Sequence, residues 1–255
     1  YASRGLGDVY KRQVLSFVSN GGSVVERVEL PVGTALDLSA YVTEREDYDF
    51  TGWYLDAALT QPITSLTLEA DTTVYAGWRI RNPFVDVAEK DYFYDAVLWG
   101  VENGVVKGMD ETHFEPETVC TRAQALTFLW RANGMPQPKT TANPFVDVDA
   151  SAYYYDAVLW GVENGIVKGM DETHFEPDTA CSRAHALTFL WRAKGMPQAS
   201  GTTFADVPAN AYYAQAVAWG VENGIVKGMD ETHFEPDTLC QRAHAVTFLW
   251  RAYAN

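Results

Sequence analysis

Trp99 to Thr118 reads WGVENGVVKGMDETHFEPET, Trp160 to Thr179 reads WGVENGIVKGMDETHFEPDT, and Trp219 to Thr238 repeats that second copy letter for letter. Self-similarity of this kind governs the architecture before any single element is assigned. Each copy follows an opening phenylalanine, Phe84, Phe145 and Phe204, and these stand 61 and 59 residues apart. Three units spanning 83–138, 144–199 and 203–255 therefore fill the chain to its end. The linkers GMPQPKTTAN (Gly134 to Asn143) and GMPQASGTT (Gly195 to Thr203) are rich in Pro, Gly, Thr and Ser, which marks them as connections.

Within the first unit, Tyr94, Val97, Leu98 and Val101 recur at helical spacing and form one apolar face. Asn103-Gly104 supplies a left-handed stop. Val105 to Pro116 is too broken for a helix and too long for a tight turn, so it reads as a structured loop. A second helix is predicted from about Arg122 to Ala132, with Ala125, Leu126, Phe128 and Leu129 on its apolar side and Gly134 past its end. Thr121 with Gln124 makes a capping-box pattern. Later copies weaken it, because Ser182 is followed by His185 and Gln241 by His244. Each unit is thus helix, loop, helix. One such pair cannot bury both apolar faces, whereas three stacked together can.

The chain before the repeats reads differently. Short runs of Val, Leu, Tyr and Thr, at Val14 to Val18, Val24 to Leu30 and Thr73 to Trp78, alternate with Asn-Gly-Gly, Pro-Val-Gly and Asp-Thr turns. That predicts a small, mostly β domain over 14–80. Residues 1–13 match nothing downstream, carry no signal-type apolar segment, and read as an edge or scar outside the fold. The fold class expected is therefore α+β multidomain: a β-rich module followed by an all-α array of three helix-loop-helix repeats.

Composition narrows the function. Among 255 residues, 34 acidic against 19 basic side chains give a formal charge of -15, the wrong balance for neutralising phosphates on a nucleic acid or an anionic membrane surface. No stretch of about 18 apolar residues is present, so membrane insertion is not expected. The three cysteines, Cys120, Cys181 and Cys240, each occupy the same place in their repeat. They read as small buried apolar groups, since an odd, symmetric set is not a disulfide framework.

Other chemistry finds little support. The carboxylate pairs Asp110-Glu111, Asp171-Glu172 and Asp230-Glu231 raise glycoside hydrolysis, but adjacent carboxylates do not straddle a glycosidic bond, and threefold repetition suits structure or binding better. One His (His113, His174, His233) and one Cys per unit make a poor zinc set, and the loop lacks the ligand spacing of a calcium site, so no metal or other cofactor is expected. Trp99, Trp160 and Trp219, with Trp130, Trp191 and Trp250, lie at helical spacing and read as core. No phosphate loop and no nucleophile triad occurs, so the chain reads as non-enzymatic, with no catalytic residue assigned.

The repeats resemble the S-layer homology family, carried here by Phe84-Val85-Asp86-Val87, Gly104-Val105, Phe114-Glu115-Pro116 and Thr121-Arg122-Ala123-Gln124. Repeat two gives Phe145, Asp147, Gly165-Ile166, Phe175, Pro177 and Ser182-Arg183-Ala184-His185; repeat three gives Phe204, Asp206, Gly224-Ile225, Phe234, Pro236 and Gln241-Arg242-Ala243-His244. The segment before them resembles the Listeria-Bacteroides repeat, through Asn20-Gly21-Gly22, Phe50-Thr51-Gly52-Trp53-Tyr54, Asp71-Thr72-Thr73 and Tyr75-Ala76-Gly77-Trp78.

The first resemblance implies an extracellular protein held to the cell wall or S-layer. Three repeats would form one pseudo-threefold unit whose grooves hold an anionic secondary cell-wall polysaccharide attached to peptidoglycan, often with pyruvylated sugars. It also implies that Arg122, Arg183 and Arg242 reach that ligand, and an Arg in a helix's first turn beside free amides suits a carboxylate. Lys107, Lys168 and Lys227 would add charge, and Gly108, Gly169 and Gly228 would let a sugar approach the backbone. The chain departs from the family pattern with Tyr92, Tyr153 and Tyr212 where Trp is usual, and with Glu115, Glu176 and Glu235 where a base is common. Two readings follow: a wall-anchoring module, or a surface protein-interaction or adhesion module in which the repeats are spacers.

Overall fold

A computed structural model describes residues 11–201 and 204–254. The chain divides into two compact units, Tyr1–Arg81 and Asn82–Asn255.

The first unit is built on strands β1 (Arg12–Val18), β2 (Val28–Pro31), β3 (Thr34–Asp37), β4 (Tyr48–Tyr54), β5 (Pro62–Ile63), β6 (Ser65–Leu68) and β7 (Thr72–Ile80). Five of them form one sheet in the order β2-β1-β7-β4-β5, while β3 and β6 pair separately. All neighbours are antiparallel except β1 and β7, which run parallel with Leu15 opposite Thr72 and Val18 opposite Tyr75. Leu15, Leu38, Trp53, Leu68, Val74 and Ala76 form the buried core. Trp53 has its indole N–H satisfied by the Tyr41 carbonyl at 2.8 Å, as a buried polar group requires.

Two expectations change here. Strand β2 begins at Val28 and not at Val24. Arg12 and Gln13, read as outside the fold, open β1, and Gln13 is buried; the rest of that edge assignment, residues 1–10, lies outside the described residues.

The second unit contains α1 (Tyr94–Glu102), α2 (Arg122–Ala132), α3 (Tyr155–Glu163), α4 (Arg183–Ala193), α5 (Ala214–Glu222) and α6 (Arg242–Tyr253). The helix stops occur as read, with Gly104, Gly165 and Gly224 at φ 66, 67 and 67. The capping box of Thr121 and Gln124 forms in both directions, Ser182 caps through its hydroxyl alone, and Gln241 makes no side-chain cap.

The packing is between repeats more than within them. Helix α3 packs on α2, α5 on α4, and α1 on α6, while α2, α4 and α6 also pack on one another. The last contact closes the array into a ring. Small residues make these contacts close: a Cβ on Gly100 would fall within 3 Å of Val106 and Val246, and the mid-helix Gly161 and Gly220 are similarly crowded. Around the threefold axis the amide of Cys120 donates to the carbonyl of Cys240, Cys181 to Cys120 and Cys240 to Cys181, each at 2.8 Å. The thiols are buried, and burial pushes those of Cys120 and Cys181 up to about 12, so they stay protonated and inert. The cores of the three repeats merge into one apolar cluster.

Candidate functional site

The loop after each first helix is held by its repeat's opening segment. Asp86 accepts from the amides of Phe114 (2.9 Å) and Glu115 (2.7 Å), and Asp147 and Asp206 do the same for their repeats. Glu115, Glu176 and Glu235 thereby sit at φ 55, 56 and 57, a left-handed geometry that costs on the order of 1 kcal/mol for a side chain with a Cβ. Asp110 turns the loop tip by accepting from Thr112 and His113, and those bonds hold its carboxyl down to about 2; Asp171 and Asp230 repeat this. The aspartates of the carboxylate pairs singled out in the sequence are thus engaged in turning their own loops. Each exposed histidine, His113, His174 and His233, places Nδ1 3.0–3.4 Å from that Asp. Among the described residues no group of three or more His, Cys, Asp or Glu is arranged to hold a metal ion.

The three first-turn arginines are almost wholly buried, at 3% exposure each. Arg122 crosses to the second repeat, where Nε donates to the Phe175 carbonyl (3.0 Å) and Nη2 to that of Lys168 (3.1 Å). Arg183 reaches Phe234 and Lys227 in the third repeat, and Arg242 reaches Phe114 and Lys107 in the first. Each guanidinium also lies over two phenylalanine rings, Arg122 at 4.8 Å from Phe175 and 5.7 Å from Phe189. Burial holds all three below their ordinary pKa. The arginines that the resemblance places at the ligand are thus mostly enclosed, with Arg183 still lining a groove described below. These side chains bond one repeat to the next, because five N–H donors on a planar fork can satisfy two carbonyls that no helix or strand claims.

The glycines change reason too. A Cβ on Gly108 would collide with the carbonyls of Asp110 and His113 and with the Phe84 ring, and Gly169 and Gly228 are enclosed in the same way. Loop closure requires them. The lysine side chains of Lys107, Lys168 and Lys227 are exposed.

These pieces meet in a groove of about 150 Å³ lined by Tyr92 of the first repeat, Arg183 of the second, and Lys227, Gly228, His244 and Arg251 of the third. The same set recurs around the ring. Tyr212, Arg122, Lys168, His185 and Arg192 correspond to it, as do Tyr153, Arg242, Lys107, Gln124 and Arg131. Every groove draws on all three repeats. The tyrosines, noted in the sequence only as departures, are over half exposed, and partial burial raises their phenol pKa, so the ring is neutral. Tyr92 stacks on His244 at 6.3 Å between centroids, and Tyr212 on His185 at 5.9 Å. An aromatic platform beside cationic side chains suits a sugar ring that carries an acid group.

Trp160, Trp219 and Trp130 are buried. Trp130 and Trp191 are tied to the linkers, donating to the carbonyls of Pro136 and Pro197.

A ring of three interdigitated repeats, with a groove at each junction, defines a repeat-built surface module. The S-layer homology domain model matches residues 83–126, 144–187 and 203–246, and the chain belongs to that family. Residues 14–77 match the Listeria-Bacteroides repeat domain. The chain is 31% identical to the Surface-layer 125 kDa protein of Lysinibacillus sphaericus over 62% of its own length and 14% of the relative's. It is 29% identical to the S-layer protein sap of Bacillus anthracis over 65% and 20%. It is 25% identical to the Amylopullulanase of Thermoanaerobacterium thermosulfurigenes over 69% and 10%. The chain thus spans between 10% and 20% of the length of these relatives. Its place is extracellular, in the cell wall or S-layer, with a structural, wall-associated role. Among the described residues no helix is long and apolar enough to cross a membrane.

Proposed function

We propose that the second unit fastens its parent protein non-covalently to the cell wall by binding an anionic secondary cell-wall polysaccharide in the three junction grooves. The observation that carries this reading is the groove itself: an exposed tyrosine, a lysine and two arginines drawn from three repeats, made three times over. A repeating surface suits a repeating polymer. Three modest sites become a firm attachment once one polymer spans more than one of them. The Glu115, Glu176 and Glu235 carboxylates lie near the arginines and temper the positive field, which favours weak individual sites. The net charge of -15 acts on an anionic polymer only within about 8 Å at physiological ionic strength, so the local lysine and arginine charge governs contact.

The test is co-sedimentation with purified Gram-positive sacculi before and after chemical removal of the attached polysaccharide. Because the arginines hold the ring together, the site probe is the triple variant K107A/K168A/K227A, whose side chains are exposed. Binding that requires both the polymer and the lysines supports the reading. A folded protein that ignores intact sacculi of several wall types overturns it and leaves the protein-interaction module.

A further inference from the structure

The three grooves are not chemically equal. In the groove of Tyr153 and Arg242, the third helical position is Gln124, whose amide oxygen accepts from Thr121 N at 3.1 Å and is thereby occupied within the capping box. In the other two grooves the same position is histidine. The His185 ring lies between Phe189 and Tyr212, and the His244 ring between Phe248 and Tyr92. In both, Nδ1 is buried without a hydrogen-bond partner. The His185 groove holds a second such atom, Oγ1 of Thr188, a residue only 1% exposed. Its counterparts Thr127 and Thr247 instead donate to the carbonyls of Ala123 and Ala243 at 2.7 Å.

Resting on the reading above, we infer that His185 and His244 make two of the three grooves proton-coupled sites, which hold a carboxylate-bearing polymer more tightly as pH falls, while the Gln124 groove does not titrate. The charges facing each ring set the sign. His185 is flanked by Arg122 and Arg192 and by the phenol of Tyr212, with Asp237 opposing them and Glu176 and Asp147 close to Arg122. His244 faces Arg183, beside Lys227, Arg251 and the phenol of Tyr92, with Glu235 and Asp206 close to Arg183. Burial and the arginines keep both imidazoles neutral to below their ordinary value in the free protein. An anion entering the groove offsets the arginine charge and gives an imidazolium N–H an acceptor, so the histidine pKa rises on binding. Affinity is then greatest below the free-state pKa and is lost as pH rises through the bound-state value. Each unit of pKa rise corresponds to about tenfold in affinity per groove. Gln124 has no proton to exchange.

The experiment measures sacculus binding of the full chain from pH 8 to pH 5.5, a window in which the polymer's carboxylates stay ionised. The variants are H185Q/H244Q, which makes all three grooves of the Gln124 type, and Q124H. We expect wild type to bind at least tenfold more tightly at pH 5.5, the double variant to bind with a flat profile, and Q124H to steepen it. The histidine ring resonances should titrate upward when polysaccharide released from the wall is added. Equal wild-type binding across the window overturns the inference and leaves the anchoring reading intact, as does a slope that survives in H185Q/H244Q. Absence of binding at every pH overturns both.

Discussion

The β unit and the helical unit hold themselves together in opposite ways. In the β unit each contact exists once: a single Trp53 fills the space between the sheet, the Leu38 turn and Leu68, and one parallel pairing brings β1 to β7 across more than fifty residues. In the helical unit the contacts that join the repeats, the arginine bonds and the ring of cysteine amides, exist three times, and the ring shares them among repeats. Loss of one residue should therefore be felt more sharply in the β unit. The largest effect expected is that of Trp53→Ala, a loss of about 3–5 kcal/mol as a cavity opens in a small core. Amide exchange should report it as lost protection in β1, β4 and β7 with the helices α1 to α6 still protected. Coordinated loss in both units would show that the two cores do not act separately.

Arg183→Met sharpens the contrast from the other side. It leaves the carbonyls of Phe234 and Lys227 without their donor, at about 1–3 kcal/mol each, yet the Arg122 and Arg242 junctions remain. Chemical denaturation should show a folded single variant of reduced stability, whereas the variant lacking all three arginines should not fold. A smaller gain is expected at the weakest helix start, where Gln241 makes no cap and Ser182 does: Gln241→Ser should stabilise by about 0.5–1 kcal/mol in the same assay.

The smallest effects are those of acid. His185 and His244 are held below 6.5 in the folded chain, so the unfolded chain takes up their protons first and, without ligand, thermal stability should decline as pH falls below about 6.5. H185Q/H244Q should flatten that decline. Asp110, Asp171 and Asp230 are held down to about 2, so what their turns contribute is present above about 4 and is lost as pH falls toward 2. Among the described residues of the β unit Asp37 and Asp56 are held down as well, but each in a single turn and not in a repeated set, so its melting should respond less over that lower range.

Much of this protein was legible in the chain alone. Helix α2 occupies Arg122–Ala132 as its apolar spacing and its Thr121 cap predict, and Gly104 stops α1 where the Asn-Gly pair stands. Such features are local, set within a few residues by dihedral preference and by orphan amides. Repetition added the count of three, and with it the expectation of a shared core. The β unit was readable only in outline, because alternation marks β1 and β7 as strands but carries no information on which strand is the partner. The site was half legible: Lys107, Lys168 and Lys227 and the arginines were named, but for charge that the arginines spend on neighbouring carbonyls. Tyr92 and His244 are more than 150 positions apart, one in the first repeat and the other in the third. Their meeting was fixed when α1 closed onto α6 to bury the faces that the end repeats would otherwise expose, and no local rule of sequence encodes a contact made only by closing a ring.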